Sequence, residues 1–176
     1  MFETLVVIAV VLAIMIAIVL ILAASKPDTF RIERAATLNA SAERIFPLIA
    51  DFHQWLNWSP WEGRDPALKR TYSGAERGEG SVYAWDGNKN VGSGRMEILA
   101  AASSQIAIKL DFLKPFEAHN VAEFTILPQG GATCVIWVMH GPAPFMSKVM
   151  QVFMNMDRMI GKDFETGLAN LKTITE

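Results

Sequence analysis

The chain has 176 residues, with 16 Lys and Arg against 18 Asp and Glu and a net charge of −2. No basic stripe of the kind that gathers phosphates is available, which excludes nucleic acid as a partner. There is one cysteine, Cys134, which excludes an internal disulfide and a cysteine-based zinc site. Its place in an alternating apolar run reads as a buried, inert thiol.

Residues 1–26 read as a membrane anchor and residues 27–176 as one domain, long enough for a single core. Leu5 to Ala24 is an unbroken run of apolar residues without charge, Gly or Pro. At about 1.5 Å per residue such a run crosses the ~30 Å hydrocarbon layer. A cleaved signal peptide is the competing reading, since Ala23-Ala24-Ser25 offers small residues. Against it, Glu3 stands where basic residues are expected, and the run exceeds the ~7–15 residues of a usual signal core. Lys26, Arg31 and Arg34 follow the span and no basic residue precedes it, which puts the domain on the cytoplasmic side by charge bias. With so short a tail before the span, a periplasmic domain stays open.

After Pro27-Asp28, the residues from Phe30 to Leu38 alternate as a first strand. Asn39 to Arg44 carries helix-start chemistry, with Asn39 or Ser41 as the cap and an acid in the first turn. Ile45, Phe46, Leu48, Ile49 and Phe52 give that helix a buried face, and Pro47 keeps it short. Trp55, Trp58 and Trp61 then fall within seven residues. The first two share a helical face and Pro60 ends the helix. Such aromatics suit either the wall of an apolar site or a plug at one end of the core.

Turn residues punctuate the next stretch as an antiparallel meander, with strands at residues 68–72, 81–86, 91–99, 106–112, 118–127 and 133–140. Pro144 to Thr175 then keeps apolar residues at three-and-four spacing, which predicts one long helix with a single buried stripe. Lys148 and Asn155 are placed on its watered side. Met146, Met150, Met154, Met156 and Met159 mark it as ordinary core or as the lid of an adaptable apolar cavity. The expected architecture is therefore α+β, with about seven antiparallel strands curving round a terminal helix and two short helices after the first strand.

At these residues the chain resembles the SRPBCC superfamily, also called START-like or Bet v 1-like, and within it the polyketide cyclase/dehydrase group. The resemblance is carried by the opening strand, Ser41-Ala-Glu43-Arg44-Ile45-Phe46, the Asp51–Trp61 segment and Asp163-Phe164-Glu165-x-Gly167-Leu168. It covers residues 30–175. It implies a helix-grip fold with an apolar cavity under the last helix, binding lipids, sterols, polyketides or other apolar molecules. Fold alone does not say which.

No nucleophile elbow, His-Glu-x-x-His helix, phosphate loop or dinucleotide glycine pattern is present, so no cofactor or catalytic residue is expected. If Gln129-Gly130 form a two-residue turn, His119 lies directly across from His140 on the face away from the helix. With Glu117 and Glu123 the pair could hold a metal, or could be an outer polar pair; no third ligand is fixed by spacing. His53 is either a polar contact at the cavity mouth or a solvated surface residue. Arg95 points outward, Asp86 sits at a turn, and Asn120 points inward but cannot act as a base. The interior thus reads as nearly empty of titratable groups, which favours binding over catalysis.

The expected function is membrane-anchored binding of an apolar small molecule or lipid. Trp55, Trp58, Tyr83, Trp85, Phe112, Phe124, Trp137, Met150 and Met156 are the candidate lining. The alternatives are a cyclase- or dehydratase-like enzyme, or an interaction module using the outer sheet face.

Overall fold

The computed structural model describes residues 2–176, and all seven strands expected from the alternation are present, their ends moved by a few residues at most. They are β1 (Thr29–Leu38), β2 (Lys69–Gly74), β3 (Ser81–Asp86), β4 (Ser93–Ala102), β5 (Gln105–Lys114), β6 (Ala118–Gln129) and β7 (Ala132–Pro142). All pairings are antiparallel, in the spatial order β1-β7-β6-β5-β4-β3-β2. Register shifts between β4 and β5, at Ser93/Gly94 and Ile98/Ala100, are the kind of irregularity that bends a sheet. Ile98, Ile106, Ile108, Phe124, Ile126 and Val135 point to the concave face and are buried there.

α1 (Phe2–Ala24) is apolar on every side and exposed along most of its length, being long and apolar enough to cross a membrane. α2 (Ala42–Ala50) buries Ile45 and Ile49 in the core. Ser41 takes the extended cap conformation without a side-chain bond to the helix. A 3-10 segment (Phe52–Asn57) follows, capped by Asp51, whose carboxylate accepts the His53 backbone N–H. Residues three apart eclipse one another in such a helix, which sets Phe52 edge-on to Trp55 at 5.4 Å. Trp58, just beyond its end, lies 4.7 Å from Trp55. Both indole N–H groups are satisfied, donating to the Ile49 and Leu48 carbonyls at 3.0 and 2.9 Å.

The long terminal helix expected from the periodicity is two helices, α3 (Phe145–Phe153) and α4 (Met156–Thr175). Met154 and Asn155 are extended, and the Asn155 side chain accepts the Arg158 N–H to cap α4. α3 leaves the sheet and packs beside α1, while α4 packs on β1. Lys148, expected in water, is buried and paired with Asp28 of the α1–β1 linker. Phe164, Leu168 and Leu171 of α4 are fully covered by the core. Each such burial stabilises by about 1.5–3 kcal/mol. Gly167 lets α4 come this close, since a β-carbon there would stand 2.7 Å from Trp137 Cζ3.

Two further expectations on the outer face are corrected. The β6–β7 turn is centred on Gly130-Gly131, with Gln129 opposite Ala132, so His140 lies across from Val121 and not from His119. Cys134 is only half-buried.

Candidate functional site

The seam between sheet and α4 does not close. Toward the C-terminal end of α4 the packing is tight, whereas Met159, Ile160, Asp163 and Phe164 in its first half roof an open space over the sheet. The space beneath is a cavity of about 360 Å³. That lies within the range of small-molecule sites. Its wall is mostly aromatic and aliphatic, from Trp55, Trp61, Tyr83, Trp85, Phe112 and Trp137 with Met96, Leu110 and Met139. Ser59, Glu62, Arg64, Asn90 and Asp163 are the polar residues that reach it.

The concave face supplies this wall because β3, β4, β5 and β7 each direct alternate residues inward. Trp85 faces Gly94 across the β3–β4 ladder, and the indole fills the space that a side chain at 94 would need. Phe112 meets Trp85 edge-on at 5.8 Å. Trp137 stacks flat on Phe164 at 4.2 Å, tying the wall to α4. The Trp137 indole N–H is buried with no partner in the protein.

Of the nine side chains named from the sequence, Trp55, Tyr83, Trp85, Phe112 and Trp137 come together on this wall. Trp58 and Phe124 do not; they are buried behind it, edge-on to one another at 6.1 Å. Met150 lies on α3, beside α1, because the helix breaks before the cavity. Met156 borders a separate groove between the α1–β1 linker and the α3–α4 junction. Of the lid methionines, Met159 alone lines the cavity.

The expectation of an interior nearly empty of titratable groups is overturned at Glu62. This residue sits in the loop after the tryptophan segment, and its side chain is 8% exposed. Arg70 Nε on β2 donates to Oε2 at 2.7 Å, and the Tyr83 hydroxyl on β3 donates to Oε1 at 2.7 Å. Arg70 is further held by the Leu68 and Glu62 carbonyls, both at 3.1 Å. Burial, reinforced by the bond to Glu62, pushes the Tyr83 phenol far above its ordinary range. The bond to Glu62 also raises Arg70, so its charge is permanent. Arg64 and Asp163 pair across the cavity rim.

His53 stacks on Tyr72 at 4.1 Å and bonds to Asp51, outside the cavity wall. Asn120 is buried on the inward face near Gly141, also away from the wall. On the outer face His119 is bound to Asp111 and Glu117, and His140 to Glu123. Among the described residues no group of three or more His, Cys, Asp or Glu is placed to hold a metal ion.

A family model described as polyketide cyclase / dehydrase and lipid transport matches residues 29–176. Solved structures share the fold at low identity. Ginseng major latex-like protein 151 from Panax ginseng is 12% identical with a TM-score of 0.61, covering 85% of this chain and 99% of that one. A START superfamily protein from Mycobacterium smegmatis is 17% identical with a TM-score of 0.55, covering 82% and 96%. The di-domain ARO/CYC protein BexL from the BE-7585A biosynthetic pathway is 13% identical with a TM-score of 0.60, covering 88% of this chain and 52% of its own. No curated protein matches the sequence.

Proposed function

The chain belongs to the polyketide cyclase / dehydrase and lipid transport family, and from that premise we propose that it binds an apolar small molecule or lipid while held to a membrane by α1. The observation that carries this is the aromatic cavity under the first half of α4. Its affinity would come from apolar surface removed from water, at about 25 cal/mol per Å².

The placement of the anchor supports the same reading. α1 enters β1 at the end of the sheet that also holds the β3–β4 turn, the β5–β6 loop and the start of α3. Asn90 and Val91 of that turn border the cavity. Exposed apolar side chains cluster at this end as well: Leu113, Phe116, Phe145, Met146 and Phe153. An apolar guest leaving a bilayer would meet the mouth without crossing open water, at high effective concentration.

Native mass spectrometry of the full chain extracted in mild detergent tests the reading. The expected result is a co-purified apolar molecule of discrete mass, lost when Trp85→Ala and Phe112→Ala open the wall. A protein that carries no such molecule and takes up no apolar probe overturns it.

Glu62 favours a second reading, a cyclase- or dehydratase-like enzyme, because a carboxylate at a dry cavity wall can serve as a general base. Here both its oxygens already accept hydrogen bonds, from Arg70 and from Tyr83, which suits a fixed acceptor better than a proton shuttle.

A further inference from the structure

A second groove, of about 530 Å³, runs along the free edge of β1 between the α1–β1 linker and the α3–α4 junction. Its lining begins at Lys26, two residues past the last of α1. In a chain anchored by that helix, the groove lies at the level of the lipid headgroups. Lys26 and Arg31 bring two cations to it. Lys26 has no ion pair among the described residues, and Arg31 is paired with Glu33, two residues along the same exposed strand face. Such a surface pair holds its members loosely. Asp157 is the one acid in the lining, and its oxygens accept from Arg34 at 3.1 Å. Asn155 spends its side-chain oxygen on the Arg158 N–H and keeps its amide N–H groups free. Phe153 and Met154, 71% and 40% exposed, add apolar surface to the same groove.

This lining suits one molecule that carries an anion beside an apolar body. A free phosphate would answer the two cations but leave Phe153 and Met154 in water. A zwitterionic lipid would bring a second cation to a place that already holds two. A lipid of net negative charge answers both, since each basic group near the bilayer surface attracts it and the apolar side chains meet its chains. We infer that the groove holds one phospholipid with an acidic headgroup from the leaflet around α1. Its phosphate sits between Lys26 and Arg31, and the start of its chains lies against Phe153 and Met154. This rests on α1 crossing the membrane and does not depend on what the cavity binds.

The test is native mass spectrometry of the full chain released from nanodiscs of equal parts phosphatidylcholine and phosphatidylglycerol. One phosphatidylglycerol should be retained, favoured about tenfold over phosphatidylcholine, as two basic groups near the surface allow. Lys26→Gln with Arg31→Gln should bring that ratio to parity. Lys89→Gln with Lys114→Gln removes two charges at the same end of the sheet but outside the groove, and should leave the ratio unchanged. Thr29→Trp fills the groove with no change of charge and should release the lipid. All five positions are exposed, so the variants keep the fold. Parity in the native chain, an equal effect of the two double changes, or full retention in Thr29→Trp overturns the groove as a lipid site and leaves the apolar cavity standing. A chain that does not enter nanodiscs overturns the groove lipid together with the membrane anchor.

Discussion

Arg34 of β1 fills the space that a side chain at Gly161 of α4 would occupy: a β-carbon there would overlap the guanidinium, Nη2 first. The guanidinium cannot move freely, because it donates to Asp157, to Glu165 and to the Glu33 carbonyl. Gly161 is thus a packing residue and not a turn residue. Gly161→Ala should stabilise an Arg34→Ala protein by about 1 kcal/mol, the ordinary gain of Ala over Gly inside a helix. In the native background the same change should bring no gain or a loss, since Arg34 must swing away from both acids. A double-mutant cycle by urea unfolding measures the difference. The same gain in both backgrounds would show that Arg34 is not held in place.

The outer face predicts a pH dependence at His119. The bond to Asp111 raises the His119 pKa above its ordinary 6.5, with Glu117 adding to it. Burial works to raise Asp111, but bonds from Lys109 and His119 outweigh it and hold that carboxyl below its ordinary value. A raised histidine contributes stability that is complete below pH 6.5 and fades as pH climbs through its folded value. A depressed carboxyl contributes above its unfolded value and fades as pH falls below it. Native stability should therefore decline as pH rises above about 6.5, and His119→Gln should flatten that slope. Thermal melts at closely spaced pH values show it; an unchanged slope would mean that other groups carry the dependence.

What was legible from the residues depended on how local the cause was. Each strand showed itself because one side of it alternates against the core, as Ile106, Ile108 and Leu110 do with Ala107 and Lys109. The α3–α4 break did not, because Met150, Met154 and Met156 carry the apolar spacing across it. The signal that marks it is chemical: Asn155 followed by Asp157 is a helix cap and an acidic first turn. The β6–β7 register slipped because Gln129-Gly130 and Gly130-Gly131 can each form a two-residue turn, and Gly130 takes a positive φ of 65° in the one adopted. Glu62 was invisible for a different reason. Its loop has no periodicity, and its burial is created by Arg70 and Tyr83, which the chain brings in from two later strands.

The exposed apolar end of the sheet makes a claim about depth. Spin labels placed singly at 116, 146 and 153 on a Cys134→Ser chain in nanodiscs, with Lys172 as the control, read out contact with lipid by power saturation. Labels replacing Phe116, Met146 and Phe153 should be more accessible to oxygen than to a nickel chelate, and the label at 172 the reverse. α3 would then lie in the headgroup region beside α1. Nickel-accessible labels at all four sites would place that end of the domain in water and remove the argument for direct transfer from the bilayer.

Glu62 and Arg70 should be coupled in stability more strongly than a surface pair. Both sit where water reaches poorly, with side-chain exposures of 8% and 25%. Removing the acid alone leaves a guanidinium and a phenol facing a gap, whereas removing both charges leaves only neutral groups. Glu62→Gln should therefore destabilise by about 2–3 kcal/mol, and adding Arg70→Gln should recover part of that loss rather than deepen it. Tyr83→Phe, which deletes one neutral-to-charged bond, should cost about 1–2 kcal/mol. Denaturant unfolding of the full chain in detergent, followed by tryptophan fluorescence, gives all three values. Simple additivity of the two charge removals would mean that Arg70 is well solvated and that the pair is worth no more than one on the surface.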